Sequence, residues 1–296
     1  MKARAPTPAP LFEEALTPTP LPNGRREGRP SVDGLWGEGG NGSGRASSLL
    51  PRGEGDRRNR SDEGSPALAA LDWPPIERDL DAYGSAIAPK LLSPATCREL
   101  AALYGDDARF RSRIVMGAHG FGRGEYKYFA NPLPEPIVAL RRGFYPRLAP
   151  IADRWNEAMG VSVRYPAAHE AFLARCHAAG QTRPTPLLLR YGPGDYNCLH
   201  QDVYGEHLFP LQVAILLSEP GRDFTGGEFV LTEQRPRMQS RAEVVSLSQG
   251  DGVIFAVRER PVQGTRGTYR VNLRHGVSRI KSGERFTLGV ILHDAR

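Results

Sequence analysis

The chain has 296 residues, of which 40% are hydrophobic, so it is long enough to bury a substantial core. No segment approaches the run of about 18 apolar residues that a membrane-spanning helix needs, and prolines interrupt the N-terminus where a signal peptide would be apolar. These features predict a cytoplasmic protein with no membrane partner, while the net charge of +6 permits either a polyanionic partner such as nucleic acid or simply a solvated arginine-rich surface.

Residues 1–66 differ in composition from the rest of the chain. They are rich in proline, glycine and arginine, and their only aromatic residues are Phe12 and Trp36. Such a segment cannot bury enough apolar surface to offset the entropy lost on ordering. The prediction is therefore a disordered leader over residues 1–66.

Residues 67–182 are predicted to be mostly helical. Ser93 and Pro94 provide an N-cap and a first-turn proline for one helix. Residues 135–159 carry apolar side chains at steps of three and four, which predicts a long amphipathic helix, and residues 167–179 form a further candidate helix. The apolar stripe of the long helix is expected to pack on a sheet, and loops in this region are expected to contact the substrate.

Residues 183–296 contain short apolar segments separated by turn residues. The predicted strands cover residues 186–191, 197–202, 211–217, 228–231, 242–247, 252–256, 269–277 and 285–293. No helix long enough for a parallel crossover separates them, which favours two antiparallel sheets. The predicted fold is α+β: a double-stranded β-helix, the jelly roll also found in cupins, with an N-terminal helical layer packed on one sheet.

Three residues have the chemistry of a metal site. His200 and Asp202 follow a Pro/Gly turn and are two residues apart, so on a strand both side chains would point to the same face. His275 lies on a later predicted strand and is available as a third ligand. Two imidazoles and one carboxylate form the facial triad that suits non-haem Fe(II). Each histidine considered alone is as readily explained by a structural role.

A second pair of residues has the chemistry of a carboxylate site. Arg285 and Thr287 lie on one face of the last predicted strand, ten residues beyond His275. The arginine fork and the nearby hydroxyl are donors that suit a carboxylate, and the apolar residues flanking them indicate a buried strand. The pair would fit the distal carboxylate of a dicarboxylic co-substrate.

The pattern His200-x-Asp202, His275 and Arg285-x-Thr287 resembles the Fe(II)- and 2-oxoglutarate-dependent dioxygenases over most of the strand-rich region. The resemblance implies that His200, Asp202 and His275 bind Fe(II), and that O₂ and 2-oxoglutarate occupy the remaining positions. It further implies that Arg285 and Thr287 bind the far carboxylate of 2-oxoglutarate. Such an enzyme oxidises a substrate C–H bond and releases succinate and carbon dioxide.

The turn before His200 is similar to AlkB-type nucleic-acid dealkylases and to a bacterial family predicted to repair alkylated DNA. In the dealkylases a tyrosine at the Tyr191 position contacts the co-substrate, although a purely structural core tyrosine is an equal alternative here. The resemblance implies oxidative demethylation of a base in single-stranded nucleic acid, or of a base flipped out of a duplex. Arg123, Tyr126 and Tyr128 are the predicted substrate contacts, because cations and aromatic faces bind phosphates and bases.

Two other functions remain open at this point. The dealkylases have asparagine, asparagine and arginine where this chain has Leu189, Thr287 and Ile291. Because the last strand is more similar to that of prolyl-hydroxylase-type enzymes, the second hypothesis is hydroxylation of a protein or peptide substrate. The third is a non-catalytic jelly-roll binding module, which is disfavoured because a structural metal site normally has a fourth protein ligand.

Overall fold

The computed structural model describes residues 66–203 and 205–296, so the leader predicted over residues 1–66 lies outside the described residues apart from Pro66. The helices are α1 (Pro66–Ala69), α2 (Trp73–Tyr83), α3 (Pro94–Ala102), α4 (Glu135–Ala158) and α5 (His169–Ala178), with short 3₁₀ turns at Leu103–Gly105, Asp107–Arg109 and Met116–His119. None of the helices in these ranges is long and apolar enough to cross a membrane.

The strands are numbered in chain order. They are β1 (Ser85–Ala88), β2 (Phe110–Val115), β3 (Gly122–Arg123), β4 (Glu125–Phe129), β5 (Leu187–Tyr191), β6 (Tyr196–His200), β7 (Leu211–Leu216), β8 (Phe224–Gly226), β9 (Phe229–Gln234), β10 (Arg241–Val245), β11 (Gly252–Ala256), β12 (Glu259–Gly264), β13 (Gly267–Val277), β14 (Ile280–Gly283) and β15 (Arg285–Val290). Each of the eight strands predicted from the sequence forms.

These strands form two large antiparallel sheets and a separate two-stranded sheet of β8 and β14. The larger sheet has the order β1-β11-β7-β15-β5-β4-β2, and the smaller has the order β10-β9-β13-β6-β3. From β5 onward the chain passes repeatedly between the two sheets, with β5, β7, β11 and β15 in the larger and β6, β9, β10 and β13 in the smaller. This arrangement is a double-stranded β-helix, which confirms the predicted α+β jelly roll.

The helical layer packs on the outer face of the larger sheet. Ile137, Leu140 and Phe144 of α4 belong to the same buried cluster as Val213 and Ile215 of β7. These α4 residues follow the three- and four-residue spacing of a helix face, and burying that face stabilises both layers. Ser93 caps α3 as predicted, because its hydroxyl accepts a hydrogen bond of 3.1 Å from the Thr96 backbone N–H.

Several features differ from the sequence prediction, among them four strands, β1 to β4, in the region predicted to be mostly helical. The strand predicted over residues 197–202 ends at His200, because the Gln201 side chain, rather than a continued backbone ladder, binds the Leu273 carbonyl at 2.7 Å. Asp202 therefore lies in the loop after β6. β4 is a five-residue strand that is not among the predicted strands; it directly follows Gly122 and Gly124, whose positive φ values of 132° and 117° favour glycine and mark a turn in the sequence.

Candidate metal and co-substrate site

A cavity of about 270 Å³ lies between the two sheets. Side chains alternate along a strand, so each strand of the larger sheet sends one set of residues toward the helices and the other into this cavity. The lining includes all three predicted metal ligands and, from the larger sheet, Tyr191, Arg285 and Thr287. The six residues that the sequence associates with metal and co-substrate therefore surround one space.

The predicted metal ligands converge. His200 is the last residue of β6 and lies directly opposite His275 of β13, with 4.2 Å between the ring centroids. The Asp202 carboxylate places one oxygen 3.4 Å from Nε2 of His200 and the other 3.4 Å from Nε2 of His275. One ligand atom from each residue lies within 4.8 Å of the other two. Such a cluster is able to hold a single cation.

Neighbouring groups fix how the two imidazoles point. Nδ1 of His200 lies 2.8 Å from the Cys198 carbonyl oxygen. A carbonyl only accepts, so Nδ1 carries the proton and Nε2 is left as the ligand atom. The His275 ring packs against Phe255 and Phe229, whose ring centroids are 4.6 and 6.0 Å away. Both imidazoles are therefore held in place before any ligand arrives.

The protonation states suit a cation. Burial alone would raise the pKa of Asp202, but His200 and then His275 hold it well below its usual range, so the carboxylate is ionised. Burial, reinforced by the neighbouring His200, lowers the pKa of His275 and favours the neutral ring. Burial opposes the charge on His200, yet the Asp202 carboxylate raises its pKa, and any proton on Nε2 must leave before that atom binds a metal.

Arg285 is the buried cation of the cavity. Its side chain is 2% exposed, it donates to the Thr287 hydroxyl at 2.5 Å, and within the described ranges it has no ion pair and its Nε has no hydrogen-bond partner. Tyr191 is fully buried and directly opposite Arg285 in the β5–β15 pairing. Burial lowers the pKa of Arg285 to about 10. Glu228 interacts with it electrostatically but forms no direct ion pair, and a buried guanidinium with no ion pair is a site for an anion.

The three predicted substrate contacts do not all reach the cavity. Tyr126 and Tyr128 line it from β4, with their rings edge to face at 5.5 Å. Arg123 lies on β3 with its side chain 63% exposed, 3.7 Å from Asp195, and it is not part of the lining. Its side chain points to solvent because β3 pairs with β6 at the edge of the smaller sheet.

Several polar residues of the lining are not among the predicted site residues, and the most deeply buried of them is Gln212. Gln212 is the single polar residue of β7, a strand that otherwise reads Leu-Val-Ala-Ile-Leu, and it is 4% exposed. A glutamine inside an apolar strand is the signal that could have revealed it, because buried polar side chains normally need a partner.

A jelly roll in which two histidines and an aspartate converge on an internal cavity is typical of non-haem oxygenases. Residues 124–295 match the model of the family Oxygenase-NA, described as an oxygenase catalysing oxidative methylation of damaged DNA. The chain belongs to this family, which confirms the resemblance found in the sequence and makes the protein an oxygenase.

Several known proteins are similar to the chain. Two proteins of Mycobacterium tuberculosis, from strains CDC 1551 / Oshkosh and ATCC 25618 / H37Rv and both named as uncharacterized, are 50% identical to it over 179 residues, which is 60% of this chain and 77% of theirs. A Pseudomonas putida prolyl-4-hydroxylase is 16% identical, with a TM-score of 0.41 over 75% of this chain and 96% of its own. A 2OG-Fe(II) oxygenase family oxidoreductase from Burkholderia pseudomallei is 16% identical, with a TM-score of 0.44 over 76% and 93%.

Proposed function

We propose that the protein is an Fe(II)- and 2-oxoglutarate-dependent oxygenase that oxidises alkyl groups on bases of damaged nucleic acid. One observation carries the proposal. Three metal-ligand atoms within 4.8 Å of one another and a buried guanidinium that forms no ion pair among the described residues line the same cavity. The family description, which names damaged DNA, supports the substrate class.

Fe(II) fits the donor set of His200, Asp202 and His275. Two imidazoles and a carboxylate are the ligands of non-haem iron oxygenases, and a three-residue set leaves further coordination positions for other ligands. The ionised state of Asp202 and the neutral state of His275 are the forms that bind a cation. These three residues would hold the iron, and the Cys198 carbonyl would keep His200 oriented toward it.

2-Oxoglutarate fits the opposite wall of the cavity. Arg285 offers a charged, planar set of donors, and within the described residues its Nε has no hydrogen-bond partner, so a ligand carboxylate could bind it directly. Thr287 would hold the guanidinium in position through the hydrogen bond that it already accepts. Tyr191, opposite Arg285, would close that end of the cavity.

When bound, Fe(II), 2-oxoglutarate and O₂ supply oxidation of a C–H bond, with release of succinate and carbon dioxide. The side chains of the cavity would exclude water from the site and orient the substrate. Phe229 and Phe255 pack against His275 and exclude water from that side of the site. Tyr126 and Tyr128 present aromatic faces on which a base would stack, and a base from a duplex would have to be flipped out to reach them.

Turnover assays test this proposal. Purified protein with Fe(II) and 2-oxoglutarate would be given methylated single-stranded oligonucleotides, unmodified oligonucleotides and a peptide library in parallel, and succinate and formaldehyde would be measured. We expect succinate and formaldehyde in equal amounts with methylated oligonucleotides alone. Turnover on peptides alone would favour the prolyl-hydroxylase-like alternative. Well-folded protein with neither turnover nor Fe(II) affinity would leave the non-catalytic binding module.

A further inference from the structure

Gln212 places an unpartnered polar group in the wall of the cavity. Its side chain is 4% exposed, and its amide nitrogen has no hydrogen-bond partner among the described residues. Val213 and Ile215, which alternate with Gln212 along β7, have their side chains in the core cluster under the helices, and Gln212 is among the residues that line the cavity. The strand therefore directs the Gln212 amide inward, where an apolar side chain would bury more easily.

The register of the larger sheet locates this amide at the metal end of the cavity. Gln212 pairs with Phe255 of β11, whose ring is 4.6 Å from the His275 ring. Along β7, Val213 is opposite Val290 of β15 and Leu216 is opposite Thr287. Gln212 is thus more than three residues, or over about 10 Å, along the strand from the Thr287 level. Gln212 is therefore too far from Arg285 for both side chains to bind one carboxylate. It lies where it could contact a second ligand beside the metal.

The hydrogen-bonding character of that second ligand follows from the amide. A buried N–H without an acceptor destabilises the free protein, and a ligand oxygen or unprotonated ring nitrogen placed against it restores the missing hydrogen bond. A ligand without an acceptor leaves the amide without a hydrogen bond. A site of this kind therefore rejects such a ligand strongly.

The charge of the ligand follows from the rest of the lining. Within the described part of the chain, Asp202 is the one carboxylate among the lining residues, and it is already assigned to the metal. A cationic base would therefore enter the cavity without a counter-charge of its own. A neutral base loses less hydration free energy than a cationic base when it leaves water, and it suits a wall of aromatic and aliphatic side chains.

We propose that Gln212 is the specificity-determining residue for the base, and that the substrates are neutral alkylated bases with a carbonyl beside the alkylated ring nitrogen. 3-Methylthymine and 1-methylguanine belong to this class; 1-methyladenine and 3-methylcytosine are cationic and do not. This inference rests on the proposed function and narrows its substrate. The Gln212 amide donates to the base carbonyl and so presents the neighbouring N-alkyl group to the metal.

The test compares four single-stranded oligonucleotides of one sequence, each carrying one of these four lesions. Formaldehyde release gives kcat/KM, and fluorescence anisotropy without Fe(II) gives binding. The wild-type protein is expected to prefer the two neutral lesions by about tenfold, the value of one hydrogen bond to a buried group. Gln212→Met, of similar length, should lose about tenfold on the neutral lesions alone. Gln212→Glu, which exchanges the donor for a negative acceptor, should reverse the preference.

Gln263→Met is the matched control, because Gln263 is exposed on β12 and outside the cavity. It should leave every rate unchanged, and thermal melting should show that each Gln212 variant folds. A wild-type preference for the cationic lesions, or a neutral preference that survives both Gln212 variants, overturns the inference while nucleic-acid turnover still supports the proposed function. Turnover on peptides alone overturns the nucleic-acid substrate and the role of Gln212 with it.

Discussion

Two clusters within the described residues join histidine to a carboxylate, buried in Asp294 and half-buried in Asp202, and they differ in what faces them. In the C-terminal cluster of Arg141, His177 and Asp294, one oxygen of Asp294 accepts from Arg141 at 2.8 Å and the other lies 2.9 Å from Nε2 of His177. Both carboxylate oxygens thus have a partner within the cluster, and Arg141 supplies the positive charge that balances the carboxylate. The cavity cluster of His200, Asp202 and His275 has longer separations of 3.4 Å and faces an open space.

The difference shows which feature marks a functional site. Residue types do not separate the clusters, since each has an aspartate carboxylate beside imidazole. The C-terminal cluster carries its own cation and anchors the end of the chain, as Gln181 also does by donating to the Asp294 carbonyl at 2.6 Å. The cavity cluster has no such cation among the described residues and presents its ligand atoms to a common point. Convergence of ligand atoms on an open cavity, without an arginine bound to the carboxylate, is the distinguishing property.

Removing the cavity carboxylate should have the largest effect. We expect Asp202→Ala to reduce Fe(II)-dependent succinate release to background, because the two imidazoles that remain bind Fe(II) weakly and carry no neutralising charge. His177→Ala is the matched control, since it removes an imidazole beside a carboxylate in the C-terminal cluster. Its turnover per folded molecule should equal that of the wild type. Equal activity in the Asp202→Ala variant would contradict the assignment of the metal ligands.

The sequence predicts which residues form the cavity cluster, but it does not predict all of the backbone elements that carry them. His200, Asp202 and His275 are found by spacing and ligand type, and the strands that carry the histidines follow from alternation between turns. The loop position of Asp202 depends on the Gln201 side chain reaching Leu273, which is a tertiary contact. No local pattern encodes it.

The role of Gln212 illustrates the same limit. A single glutamine in an apolar strand signals a buried polar group, but its position beside Phe255 depends on the register between β7 and β11. Residues far apart in sequence set that register. Tyr126 and Tyr128 were selected for their chemistry although their strand was not predicted. Their inward direction follows from the pairing of β4 with β5.

Breaking the C-terminal cluster should cost stability instead of activity. Asp294→Ala would leave Arg141, which is 4% exposed, buried without its partner, and we expect the free energy of unfolding to fall by about 3–5 kcal/mol. Urea denaturation would measure the loss. Glu170→Ala removes the partner of an exposed ion pair on α5 and should change stability little. A small loss in Asp294→Ala would show that the cluster is not an anchor.

The pH dependence of stability should also report on the C-terminal region. Burial lowers the pKa of His169 to about 4, and this neutral ring donates to the Leu292 carbonyl at 2.8 Å. In the unfolded chain His169 binds a proton near pH 6.5. The contribution of neutral His169 to the free energy of unfolding is therefore complete above that pH and is lost as the pH falls toward 4. The loss should reach about 3 kcal/mol. His169→Gln should flatten the unfolding profile between these pH values, and an unchanged profile would rule out this histidine as the cause.

Arg285 provides the finest test of the comparison, because it is a buried charge without the partner that Arg141 has. We expect Arg285→Leu to raise the KM for 2-oxoglutarate by about 100-fold, the value of a charge-assisted hydrogen bond. Its melting temperature should not fall, since no ion pair is broken, and 2-oxoglutarate should no longer raise it. Thr287→Val, which removes only the supporting hydroxyl, should raise KM by about tenfold. A loss of stability in Arg285→Leu as large as that in Asp294→Ala, with an unchanged KM, would make Arg285 a structural residue like Arg141.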